Sequence, residues 1–140
     1  MKYRFLEHTA DAMFEAFGDN LEQLFENSAL AVEETMVDIK SVKQIEEYDI
    51  LLNNKEVEGL LYDFLSELLF LKDTENLLFS KFHIRIHCIK GMYELIANCF
   101  GEKINPKKHK LVADTKAITL HEFKVEQTKN GWMSKVIVDI

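Results

Sequence analysis

The chain has 140 residues, 47% of them hydrophobic and 29% charged, with ten phenylalanines among many leucines and isoleucines. That is enough to close one core, and the mixture lies far from the composition of disordered chains. Twenty-four acids against seventeen lysines and arginines give a net charge of −7. This sign works against tight contact with a phosphate backbone and suits docking on a basic protein surface.

Met1-Lys2-Tyr3-Arg4 leads into polar sequence with no signal-like apolar stretch. No run approaches the roughly 18 to 20 apolar residues that cross a bilayer, so a cytoplasmic address and no membrane contact are expected. A strand-like N-terminus is followed by Glu7-His8-Thr9-Ala10-Asp11, acids and a histidine among small residues, just before an apolar strand from Met13 to Phe17. Taken alone, that segment reads as an ordinary acidic turn.

The first helix is predicted to begin at Asp19 as cap, with Glu22 completing a capping box, and to run to about Val37. Leu21, Leu24, Phe25, Ala29, Val32 and Met36 form its buried stripe, leaving Glu22, Glu26 and Glu33 to face water. A strand then leads to a second helix, opening at Asn53 or Asn54, with Val57, Leu60, Leu61, Phe64, Leu65, Leu68 and Leu69 inward. Glu56, Glu58 and Lys72 suit the dipole of that helix, and Gly59 marks a close helix–sheet contact. Phe82 to Phe100 reads as a hairpin turning at Lys90-Gly91. A two-residue turn sets Phe82, Ile84, Ile86 and Cys88 opposite Cys99, Ala97, Leu95 and Tyr93, with His83, Arg85, His87, Glu94 and Asn98 on the wet face. Lys103 to Lys110, which contains the only proline, reads as a short basic solvated loop. Strands are expected over Thr115 to Gln127 and Met133 to Asp139, joined at Lys129, Asn130 and Gly131. No linker or low-complexity tract divides the chain, so residues 1–140 are read as one domain.

Little in the way of self-contained catalytic chemistry is legible. Cys88 and Cys99 would lie about 20 Å apart along the hairpin, far beyond the roughly 6 Å a disulfide spans, and are read as two reduced, buried thiols. His83 and His87 would chelate on a helix but stand about 13 Å apart on a strand. His109 and His121 are isolated, and ordinary satisfied roles fit them. No phosphate-binding glycine loop, nucleophile elbow or Cys-x-x-Cys pair is found. The C-terminus is more suggestive: the apolar strand Val136-Ile137-Val138 ends at Asp139 and Ile140, setting a side-chain carboxylate beside the main-chain one. Should Asp11 converge on them, three oxygen donors would suit a hard ion such as Ca²⁺ or Mg²⁺ better than Zn²⁺. A frayed, solvated terminus is the alternative.

Several blocks, in order and together spanning essentially the whole chain, resemble the archease family. They are His8-Thr9-Ala10-Asp11, Gly18-Asp19-Asn20-Leu21-Glu22-Gln23-Leu24-Phe25, the segment Leu60 to Leu69, Gly101-Glu102, His109, Lys116-Ala117-Ile118-Thr119-Leu120-His121, and Val138-Asp139-Ile140. The sequence departs from the family pattern at Ala12-Met13-Phe14 and at Asp114-Thr115, without removing a candidate ligand. The resemblance implies an α+β fold built on a duplicated strand-helix-strand-strand unit. It implies a metal site, Ca²⁺ first and Mg²⁺ or Mn²⁺ next, at Asp11, Asp139 and the main-chain carboxylate of Ile140. It also implies a non-enzymatic role as activator of an RtcB-type RNA ligase in tRNA splicing and RNA repair, with little direct nucleic-acid binding. The resemblance assigns no role to Glu102, His109, Lys116 or His121. A stand-alone metal-dependent phosphoesterase and a general chaperone or adaptor of modifying enzymes are the competing classes.

Overall fold

A computed structural model describes residues 1–7 and 11–140. The elements are β1 (Tyr3–Leu6), β2 (Ala12–Gly18), α1 (Leu21–Met36), a 3₁₀ turn (Ile39–Ser41), β3 (Glu46–Asn54), α2 (Val57–Glu75), β4 (Leu77–Ile89), β5 (Met92–Lys103), β6 (Ala117–Thr128) and β7 (Gly131–Asp139). The strands form two antiparallel sheets, ordered β1-β2-β7-β6 and β3-β5-β4. The implied duplication is present in nested form. A unit β2-α1-β6-β7 encloses a second unit β3-α2-β4-β5, and in both the last strand inserts between the first and the third.

Both helices lie between the sheets. α1 packs on β2 and β7 on one side and on β4 on the other, while α2 touches β6 and β3. One continuous core results, with Phe14, Phe25, Phe64 and Phe79 fully buried. Phe25 and Phe64 stack at 6.2 Å between ring centroids, and Phe82 meets Phe64 edge-on at 6.1 Å. Among the described residues, no helix is long and apolar enough to cross a membrane.

The hairpin register agrees with the expectation pair for pair, from Phe82↔Cys99 to Cys88↔Tyr93. Lys90 (φ 51°) and Gly91 (φ 77°) both take the left-handed backbone that a two-residue turn requires. The strands run further than expected, to Leu77 and Lys103.

Four expectations are corrected. The cap of α1 is Asn20, not Asp19: its extended backbone lets Oδ1 accept from Gln23 N at 2.8 Å, while Gln23 Oε1 accepts from Asp19 N at 2.7 Å. α2 opens at Val57, not at Asn53 or Asn54, because those asparagines complete the β3 ladder opposite Glu94 and Tyr93. Asn54 still shapes the helix start, accepting from Glu56 N at 2.9 Å and donating to Asp63 Oδ2 at 3.1 Å. A Cβ at Gly59 would lie 2.6 Å from the Asn54 side chain, so the expected helix–sheet contact is made there.

The third correction is Cys88, which is exposed while Cys99 is buried. Cover thins along β4 from buried Ile84 through half-buried Ile86 to the hairpin tip. The fourth is Glu33, which is fully buried rather than wet. The β4–β5 register slips between Phe79 and Lys81, and Phe79 N donates to Glu33 Oε1 at 2.9 Å. The helix thus supplies an acceptor beside an irregular stretch of ladder.

Candidate functional site

Three strands end together at one edge of the four-stranded sheet. Val138 pairs with Ala12 on β2 and with Ile118 on β6, Asp139 pairs with Ala117, and Lys116 N donates to the Asp139 carbonyl at 2.7 Å. Asp11 immediately precedes, and Asp139 immediately follows, the last pair of the β2–β7 ladder, Ala12↔Val138. Both are half-buried, and Ile140 follows at 42% exposure. Like charges on neighbouring strand ends repel unless a cation lies between them. His8, the other nominated polar group of the N-terminal block, lies outside the described residues.

Among the described residues, the side-chain donors at this tip are oxygens, those of the two aspartates, with Ile140 next in the chain. Such donors fit a hard divalent cation and do not fit a thiolate- or imidazole-seeking metal. Among the described residues, no group of three or more His, Cys, Asp or Glu side chains is poised to hold a metal. A cation at the tip would therefore draw on main-chain oxygen as well as the two aspartates.

The segment delivering Lys116 to the tip is anchored from below. Lys72 Nζ, nearly buried on α2, donates to Asp114 Oδ1 at 2.7 Å and to the Thr115 carbonyl at 3.0 Å, and lies 2.9 Å from Asp73 Oδ1. Thr115 Oγ1 shares a buried hydrogen bond of 2.8 Å with Thr35 Oγ1 on α1. Burial pulls the Lys72 ammonium down, but hydrogen bonds to Asp114 and Asp73 outweigh it and hold its pKa above the ordinary value. The Lys72 contact holds the Asp114 carboxyl below its usual range. Reading Lys72 as a dipole partner missed this role. The available signal was its place seven residues after Leu65 and four after Leu68, on the buried stripe.

A second polar cluster fastens the loop after β5. Glu102 Oε2 accepts from Lys43 N at 2.6 Å and from His109 Nε2 at 3.0 Å, while Lys108 Nζ bridges both carboxylate oxygens at 2.6 and 2.7 Å. Hydrogen bonds from Lys108 and Lys43 lead in drawing the Glu102 carboxyl down to about 2. His109 Nδ1 accepts from Asn105 N at 2.9 Å, so both ring nitrogens are committed. The loop expected to be solvated therefore buries His109, while Lys107, Lys108 and Lys110 stay exposed and Lys108 ties back to Glu102. His109 is the satisfied structural histidine that its isolation implied. His121 is exposed, 3.6 Å from Glu122, and His83 and His87 are exposed opposite Asn98 and Glu94.

Sequence comparison matches residues 3–140 to the profile of the archease protein family (MTH1598/TM1083). A protein archease from Methanosarcina mazei is 40% identical over 140 residues, covering 99% of this chain and 96% of the relative. One from Pyrococcus furiosus is 41% identical over 135 residues, covering 96% and 95%. The solution structure of Methanobacterium thermoautotrophicum protein 1598 is similar with a TM-score of 0.88 at 38% identity, covering 99% of this chain and 98% of that one. A Thermotoga maritima crystal structure described as an archease, possible chaperone, shares the fold with a TM-score of 0.60 at 21% identity, covering 96% and 94%.

Proposed function

The chain belongs to the archease family, and from that premise we propose that it is a protein cofactor of an RtcB-type RNA ligase and does not itself catalyse. In this role it promotes guanylylation of the ligase's active-site histidine. Multiple turnover follows in joining ends that carry 2′,3′-cyclic phosphate or 3′-phosphate to 5′-hydroxyl ends, as in tRNA splicing and RNA repair.

The observation that supports the reading is the register of β2 against β7, whose last pair, Ala12↔Val138, has Asp11 and Asp139 as its flanking residues at the edge where Ile140 follows. These two side chains and the Ile140 main-chain carboxylate would hold the cation, with Ca²⁺ the expected ion and Mg²⁺ or Mn²⁺ compatible with the same donors. Bound there, the ion would supply a concentrated positive charge at this edge. Lys116, tethered to the same edge through its backbone bond to Asp139, is exposed there. A net charge of −7 favours encounter with a basic protein surface over the RNA itself.

The test is ligations per ligase, measured with a catalytic amount of an RtcB-type ligase, GTP, Mn²⁺ and excess cleaved RNA. Many turnovers only when this protein is added, lost in Asp11→Ala and Asp139→Ala proteins that remain folded, is the expected result. An unchanged count with the wild-type protein overturns the reading; activation undiminished in both variants overturns the role of the tip.

A further inference from the structure

Tyr62, midway along the outward side of α2, stands between two cavities. One, of about 320 Å³, is lined by Glu56, Glu58, Gly59, Tyr62, Leu120 and Phe123. The other, of about 250 Å³, continues past Phe70 and Asp73 to Lys116, Ala117 and Ile118. Together they make a groove between α2 and β6, about 25 Å long at the rise of an α-helix. It ends at Ala117, the β6 partner of Asp139.

The chain distorts to build this groove. β6 loses register with β7 between Thr119 and Lys124, and Glu122 is held at φ 54°, a backbone region unfavourable to its side chain. Leu120 and Phe123, on either side of the distortion, both line the larger cavity. The Phe123 ring meets Tyr62 edge-to-face at 5.8 Å, and Leu120 is left 69% exposed. A large exposed aliphatic beside an aromatic pair is apolar surface left uncovered by the described residues. At its mouth stand Glu56 and Glu58, exposed and, among the described residues, without an ion-pair partner.

We propose that this groove docks a basic segment of the protein partner, an arginine or lysine side chain entering the Tyr62, Leu120 and Phe123 cavity with its charged head at Glu56 and Glu58. Long basic side chains suit the arrangement because their stems cover apolar surface while the cationic head meets the aromatic faces and carboxylates. Lys116 at the far end repels a second cation there, which places the basic group at the Glu56 end and directs the rest of the segment toward the carboxylate edge. A nucleic-acid strand is disfavoured by the same two glutamates. For the partner's identity this inference rests on the ligase reading above.

The experiment titrates the wild type, a Glu56→Lys/Glu58→Lys double variant and Leu120→Asp into the ligase turnover assay, with folding checked by circular dichroism. The expected result is an increase of about tenfold or more in the concentration giving half-maximal turnover for both variants, with the plateau retained at saturation. Asp11→Ala should lose the plateau instead. Folded variants that activate at wild-type concentrations overturn the groove while leaving the ligase reading intact. No turnover gain from the wild type overturns both.

Discussion

The buried carboxyl of Glu33 makes the stability of this fold depend on pH in an unusual direction. Its side chain sits at 0% exposure, one oxygen accepts from Phe79 N, and the other has no hydrogen-bond partner among the described residues. Burial raises its pKa from the ordinary 4.5 to about 8, opposed by the Phe79 bond and by the charge of Lys72. The native state therefore keeps a proton that the unfolded chain releases above pH 4.5, so stability falls as pH rises from there toward 8. Linkage sets the slope at about 1.4 kcal/mol per pH unit, and across this window the loss has a ceiling of about 5 kcal/mol. Glu33→Gln keeps an acceptor for Phe79 N and removes the titration. Urea unfolding followed by Trp132 fluorescence from pH 5 to 8.5 should show the wild type losing several kcal/mol while the variant stays nearly flat, overtaking it near pH 8. Parallel curves for the two proteins would refute this account of Glu33.

Glu102 should behave with the opposite sign. Its folded pKa of about 2 lies below the ordinary 4.5, so its contribution is present above pH 4.5 and lost as pH falls through 2. Glu102→Gln should flatten acid unfolding in that range and speed amide exchange at His109, whose ring loses its carboxylate partner. Gly101→Ala would put a Cβ 1.8 Å from the Leu78 carbonyl oxygen, a backbone clash inside the β4–β5 ladder. A loss of at least about 3 kcal/mol is expected by chemical denaturation, and an unchanged midpoint would show that the ladder yields there. Saturating Ca²⁺ should raise Tm of the wild type, with about 2.7 kcal/mol of stabilisation at a hundred times Kd, and leave Asp139→Ala unmoved. An equal rise in both proteins would place the ion elsewhere.

What could be read from the sequence was local. The hairpin register from Phe82 to Cys99 followed from a period of two and one Lys-Gly turn, and both are properties of adjacent residues. The same locality explains the misplacement at α1, where Asp19 and Asn20 are both competent caps and only the backbone angle at Asn20 decides between them. It also explains α2, whose two asparagines are turn formers until β5 claims them as ladder partners. The candidate carboxylate edge was nominated in part by family resemblance and in part by the clustering of Asp139 with the chain's final carboxylate. Its nearness to Asp11 follows from the Ala12↔Val138 pair, 126 positions apart, which no sequence period encodes.

The nested topology accounts for the misreadings of Glu33 and Lys72 through one physical cause. In a two-layer fold a helix has a wet side, and a glutamate one position beyond the apolar stripe belongs there. Here the second unit is inserted into the first, so α1 is covered by β2 and β7 on one side and β4 on the other. The position of Glu33, outward on a helical wheel, becomes interior, and Phe79 at the slipped stretch of β4 supplies its donor. Lys72 is drawn in similarly on α2 and is spent on Asp114 and Thr115, fixing the segment that carries Lys116 to the edge. Glu33 and Lys72, which sequence patterning assigned to solvent and to the helix dipole, thus help to join the two units to each other.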